Sequence, residues 1–176
     1  MKGSTRSAAI AALVVVVGSP IANAQPRFGP NDVRSVVFVA KSENKNEVHY
    51  AISLDGRCMP ARAAPVYAYW RMRERGDALV EPLLDREEAA YGVASQHVDG
   101  SVVHLSLRAL AGRTITFETR SEEGRCTARA IASIAGRPAR LTSVYVKIGF
   151  PIRIDHLLLQ GIALDDGNVL RERVAR

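Results

Sequence analysis

The sequence predicts an all-β protein, an antiparallel β-sandwich or a barrel of eight to ten strands with one short helix. Three observations predict it. Short apolar/polar alternations of period two recur along the chain, which is the strand signal. Turn dipeptides (Asp55-Gly56, Asp99-Gly100, Ala111-Gly112, Glu123-Gly124, Ala135-Gly136 and Asp166-Gly167) punctuate them. Only residues 81–91 break the period, and they do so with helical spacing. Regular short strands between turns build sandwiches and barrels, and a sandwich is the preferred outcome.

The chain opens with Lys2 and Arg6, an apolar run from Ala8 to Val17, and the breakers Gly18, Ser19 and Pro20. Ala22-Asn23-Ala24 then gives the small-x-small pattern of a cleavage site, so residues 1–24 read as a secretory signal peptide. The apolar run is too short to span a bilayer, so no permanent membrane anchor is expected. Export follows, to the periplasm or fully outside the cell. Residues 25–33, with Pro26, Gly29, Pro30 and Asn31, read as a flexible leader, and 34–176 as one all-β domain. Without the signal, 22 basic residues face 18 acidic ones, a net charge of +4. That mild excess suits an anionic ligand. The basic residues are scattered, with no block of like charge, so no nucleic-acid partner is expected.

Val36 to Ala40 is apolar on both faces and reads as a central strand covered on both sides or as a strand crossing between two sheets. Next, Val48, Tyr50, Ile52 and Leu54 alternate with His49, Ala51 and Ser53, burying one face and wetting the other. Val66 to Arg75 follows: Tyr67, Tyr69, Arg71, Arg73 and Arg75 share one face, and Trp70 points the other way into the core. Glu81 to Tyr91 reads as a helix of two or three turns, whose acids (Glu81, Asp85, Glu87, Glu88) are partners for those arginines. Val103, Leu105 and Leu107, then Ile115 and Phe117, then Val144, Val146, Ile148 and Phe150 give three further one-sided strands. Between them, Cys126, Ala128, Ala130 and Ala132 give one small-residue face; a helix competes there because Ala favours helices, and Thr127 and Ile131 decide for a strand. Leu157 to Leu159 lies in a second such strand, covered on both faces or crossing between two sheets, and Asp166-Gly167 is expected to link the last two strands by a two-residue turn like that at Asp99-Gly100.

Cys58 and Cys126 each close a turn-like tetrapeptide, Asp-Gly-Arg-Cys and Glu-Gly-Arg-Cys. In an oxidising compartment an even pair is a disulfide, here closing a loop of 67 intervening residues. On chain entropy such a link is worth about 4 kcal/mol.

Lys41-Ser42, then Asn44-x-Asn46-x-Val48-x-Tyr50, Tyr69-Trp70 and Ala90-Tyr91-Gly92 carry a family likeness. From about Val36 to Arg173 the chain resembles the bacterial domain-of-unknown-function family 4833. The resemblance implies an exported or envelope protein of one domain and carries no activity.

The candidate ligand-binding residues are Asn44, Asn46, Tyr50, Tyr67, Tyr69 and Arg71. Asn amides beside Lys41 or Lys45 could line a polar pocket, although two Asn also build tight turns. Tyrosines beside guanidinium groups stack on sugars or hold a carboxylate or phosphate. The histidines His49, His97, His104 and His156 are isolated, so no metal or cofactor is expected, and His49 and His104 are assigned to solvent faces. Asp155 and His156 are sequence neighbours on a strand and point to opposite faces, which argues against a dyad. No nucleophile elbow or phosphate loop is present, so no catalytic residue is assigned. The expected function is a non-catalytic exported envelope domain that binds a ligand or partner. The alternative is a hydrolase of an envelope polymer or lipid, using Asp85, Glu88 or His156. A third reading is strand addition at an exposed sheet edge.

Overall fold

The computed structural model describes residues 33–41, 43, 45–75, 80–149 and 153–175. The signal segment, residues 25–32 of the leader, Ser42, Asn44 and Phe150 lie outside the described residues. Eleven strands and one helix are described, in the order β1 Val33–Lys41, β2 Glu47–Leu54, β3 Val66–Arg71, β4 Val80–Pro82, α1 Asp85–Tyr91, β5 Val93–Asp99, β6 Val102–Leu107, β7 Ile115–Glu122, β8 Arg125–Ile134, β9 Arg137–Gly149, β10 Arg153–Ala163 and β11 Val169–Ala175. The fold is all-β with one short helix. The strand beyond the expected ten is β4, and it lies inside the stretch read as helix. Pro82 drives the preceding Glu81 into extended backbone, so 80–82 joins β3 and the helix waits until Asp85.

The strands form one sheet in the order β4-β3-β2-β1-β9-β8-β7-β6-β5, with β10 and then β11 added on the far edge of β9. The long β9 explains the shape. Its first half pairs with β8 (Ile131↔Arg140 to Ile134↔Arg137) and its second half with β1 (Val39↔Ser143 to Lys41↔Tyr145). One edge of one strand thus serves two halves of the sheet, which double over it. Phe38 of β1 and Phe117 of β7 have two strands between them along the ladder, yet their rings meet edge-on at 6.0 Å. The layering is that of a sandwich. The ladder does not close into a barrel, since β4 and β5 are not paired. The β1–β9 pair is parallel, a departure from the all-antiparallel expectation. Nothing local in either sequence marks it, because the two strands are distant in the chain.

Inward residues of both layers fill one main core: Phe38, Val48, Tyr50, Ile52, Val103, Leu105, Ile115, Phe117, Ile134, Leu141, Leu157 and Leu159 are each at most 2 % exposed. Alternation therefore reads β6, β7 and β9 correctly. The reading of the faces fails in three strands. Leu158 is 41 % exposed and Val36 44 %, so neither β10 nor β1 is covered on both sides. Conversely β2 buries its second face as well, with Ala51 at 0 % and Ser53 at 1 %. The loop after β2 folds back there: Ser53 N–H donates to Pro65 O, Ala61 N–H to Ser53 O, and Arg62 to Ser53 Oγ.

The two layers are tied at three places away from β9. Cys58 and Cys126 are at bonding distance, joining the β2–β3 loop to the start of β8. Asp55 Oδ1 accepts from Arg57 N–H and Met59 N–H, which shapes the turn that presents Cys58. On the open side, the Gln96 side chain on β5 accepts from Val66 N–H (2.8 Å) and donates to Val66 O (3.0 Å) on β3. Beside that seam α1 packs into the gap: Tyr50 O–H donates to Tyr91 O and Trp70 Nε1–H donates to Glu87. Glu87 also accepts Leu84 N–H, so one carboxylate caps the helix and ties it to β3.

The turns behave as their residue types require. Glu123-Gly124 and Ala135-Gly136 have positive φ at both residues, the geometry of two-residue hairpins. The β5–β6 and β10–β11 links fall where expected but not in the expected form: Asp99 still pairs with Val102, so the first turn is Gly100-Ser101, and residues 164–168, not two residues, join β10 to β11.

Candidate functional site

The outer face of β1–β2–β3 gathers most of the expected binding residues. The β2–β3 register places Glu47 opposite Arg71, His49 opposite Tyr69 and Ala51 opposite Tyr67. The β1–β2 register adds Lys41 opposite Glu47 and Val39 opposite His49. Strand alternation puts all of these on one side. Tyr67, Tyr69 and Arg71 therefore do share a face. The floor is covered: Tyr67 is 6 % exposed and Tyr69 9 %, and with Ala51 they form a second small apolar cluster. The Tyr67 and Tyr69 rings stack at 6.0 Å, and the His49 ring lies 5.6 Å from Tyr69.

Glu47 is the hub of the polar rim. Its Oε2 accepts from Arg73 Nε at 2.8 Å and from His49 Nε2 at 3.2 Å, and its Oε1 is 3.9 Å from Lys41 Nζ. Burial pushes the Glu47 carboxyl up, but hydrogen bonds from Arg73 and His49 outweigh it and hold the group below its ordinary value. An ionised carboxylate only accepts, so His49 Nε2 carries the hydrogen. Nδ1 is then left over. It is buried and has no hydrogen-bond partner among the described residues. His49 itself is 6 % exposed, which corrects its assignment to a solvent face. The alternation was read correctly, but the outer side of β2 is covered too.

Tyr50 does not belong to this site. It is 1 % exposed on the opposite face, stacked on Phe38 at 4.3 Å, and burial raises its hydroxyl pKa. Residues of one strand at odd and even positions cannot meet, so Tyr50 could never join Tyr67 and Tyr69. Asn46 is buried at the margin, where its Oδ1 accepts Glu74 N–H and fixes the 3-10 turn Arg73–Arg75 that carries Arg73. It acts on the site by positioning. Asn44 lies outside the described residues. Of the expected arginine–helix ion pairs, Arg75–Glu81 forms (3.2 Å), whereas Arg73 turns to Glu47 and Glu88 to Arg108.

Glu47, Arg73 and His49 are the residues that the candidate list lacks. Glu47 and His49 are two apart on a strand, the spacing that puts side chains on one face. A search for acid–histidine couples at that spacing finds them; Asp155-His156, the adjacent couple, does not meet. Asp155 bonds Arg153, and His156 Nδ1 lies 3.3 Å from Arg173. Among the described residues no cluster of three His, Cys, Asp or Glu could hold a metal ion. No helix among them is long and apolar enough to cross a membrane.

A family model, Domain of unknown function (DUF4833), matches residues 37–173, and the chain belongs to that family. No curated protein and no solved structure matches the chain.

Proposed function

We propose that this member of the family is an exported binding domain that holds an anionic component of the cell envelope on the outer face of β1–β3. One observation carries the reading: Lys41, His49 and Arg73 meet the Glu47 carboxylate at the rim of a tyrosine floor, and Arg71 stands opposite Glu47 in the strand register. Guanidinium groups beside aromatic rings recognise carboxylates and phosphates. Export draws support from the signal-like first 24 residues and from the Cys58–Cys126 pair, which favours an oxidising compartment.

The test is retention on purified peptidoglycan sacculi and on an anionic envelope fraction. Lys41→Ala with Arg71→Ala should lose most of the retention while circular dichroism stays unchanged. Undiminished retention by that folded variant would remove this face from the reading.

The alternative, hydrolysis of an envelope polymer or lipid, finds one observation in its favour. Glu47 orients the His49 imidazole, as a carboxylate orients a general base. That reading expects esterase or glycosidase turnover by the wild type which His49→Gln abolishes. A protein inactive on a panel of both substrate classes leaves binding as the function.

A further inference from the structure

The far end of the same layer is built differently. Pairing carries the outer face onward from β1 through β9 and β10 to β11. One row runs Lys41, Tyr145, Leu158, Arg173, and the next runs Val39, Ser143, Gln160, Arg171. A third places Arg140, Ile162 and Val169 in line. Leu158 is 41 % and Val169 59 % exposed, and β11 has no second neighbour among the described strands. No carboxylate among the described residues pairs with Arg140, Arg171 or Arg173. Elsewhere Arg108, Arg113, Arg120, Arg129 and Arg137 each meet an acid.

We infer that this face of β9–β11 docks on an anionic lipid bilayer. The inference deepens the binding reading but uses residues outside the Glu47 site. Charge complementarity identifies the partner: guanidiniums with no carboxylate partner among the described residues, Arg173 meeting only the His156 ring, suit a plane of phosphates. The interleaved apolar residues decide between lipid and a soluble polyanion. Leu158, Ile162 and Val169 gain only where an acyl boundary lies just behind the phosphates, and a soluble polymer offers them nothing.

The experiment is co-sedimentation of the disulfide-intact mature chain with vesicles of phosphatidylglycerol and phosphatidylcholine, against phosphatidylcholine alone. Binding to the mixed vesicles only, weakened by salt, is expected. Arg171→Glu with Arg173→Glu should lower it by about tenfold or more. Leu158→Ser with Val169→Ser should weaken it severalfold with less change in its salt dependence. Arg120→Glu, on the other layer, should leave it unchanged. Thermal melts report that each variant folds. No preference for the anionic vesicles, or equal binding by the double glutamate variant, overturns the inference. So does equal affinity for soluble polyphosphate with no effect of the serine pair, which would assign the face to a polymer. Sacculus retention of these variants is read separately, so the Glu47 face stands or falls on its own result.

Discussion

At the β1–β3 end of the outer face, one carboxylate draws Lys41, His49 and Arg73 together over buried tyrosines. At the β10–β11 end of the same face, Arg171 and Arg173 stand beside exposed Leu158, and no carboxylate among the described residues pairs with them. Strand geometry is the same in both. The difference is what compensates the charge and what covers the apolar atoms. Where both are supplied from within the chain, a substitution is felt as lost stability. Where neither is, it should be felt by a partner instead.

Four measurements can break or sharpen that contrast. The largest effect belongs to Tyr69→Ala, which empties part of a buried stacked cluster and should cost about 3–4 kcal/mol in urea unfolding. A cost below about 1 kcal/mol would mean the tyrosine floor is not packed. Next comes Glu47→Gln, which removes the negative charge shared by Arg73 and His49 and leaves a neutral amide oxygen as acceptor. About 1–2 kcal/mol is expected, since Glu47 is largely buried while Arg73 is 42 % exposed and partly screened.

Acid should act through the same residue. The Glu47 pKa lies below its ordinary 4.5 in the folded chain, so its stabilisation is complete above that value and is lost as pH falls. Glu172 behaves alike, held down by Arg113 and by Ala135 N–H. Glu47→Gln should therefore flatten part of the stability–pH slope below about pH 5. Arg171→Ala with Arg173→Ala should leave that slope as in the wild type, because no carboxylate depends on them. The smallest effect is the stability change of that arginine pair, expected within about 0.5 kcal/mol per residue. A larger loss would place the arginines in the structural class and weaken the docking inference.

Much of this was legible before any coordinates. Alternation alone puts Tyr67, Tyr69 and Arg71 on one face and Trp70 in the core, and turn chemistry locates the hairpins at Gly124, Gly136 and Gly167. The Cys58–Cys126 pairing follows from counting. Burial of the second side of β2 was not legible, because the returning β2–β3 loop decides it and not the strand's own pattern. The parallel β1–β9 contact was illegible for the same reason, having no local cause. Alternation also puts Tyr50 on the buried face with Val48 and Ile52, so its place beside Asn44 and Asn46 among the binding candidates conflicts with that pattern. The Glu47–His49 couple was within reach of that rule and was missed because only adjacent acid–histidine neighbours were considered.

The bond pair between Gln96 and Val66 has a consequence for how the chain finds its register. A side-chain amide carries an acceptor oxygen and a donor NH2 group, so by using one of its two N–H bonds it here imitates a peptide unit across a gap where no ladder exists. Ladders tolerate sliding by two residues, since each backbone group finds an equivalent mate. A single amide does not, because a two-residue slip of β5 would carry Gln96 roughly 7 Å from its target. The open side of the molecule is thereby pinned like a vernier, by one residue that fits at one setting.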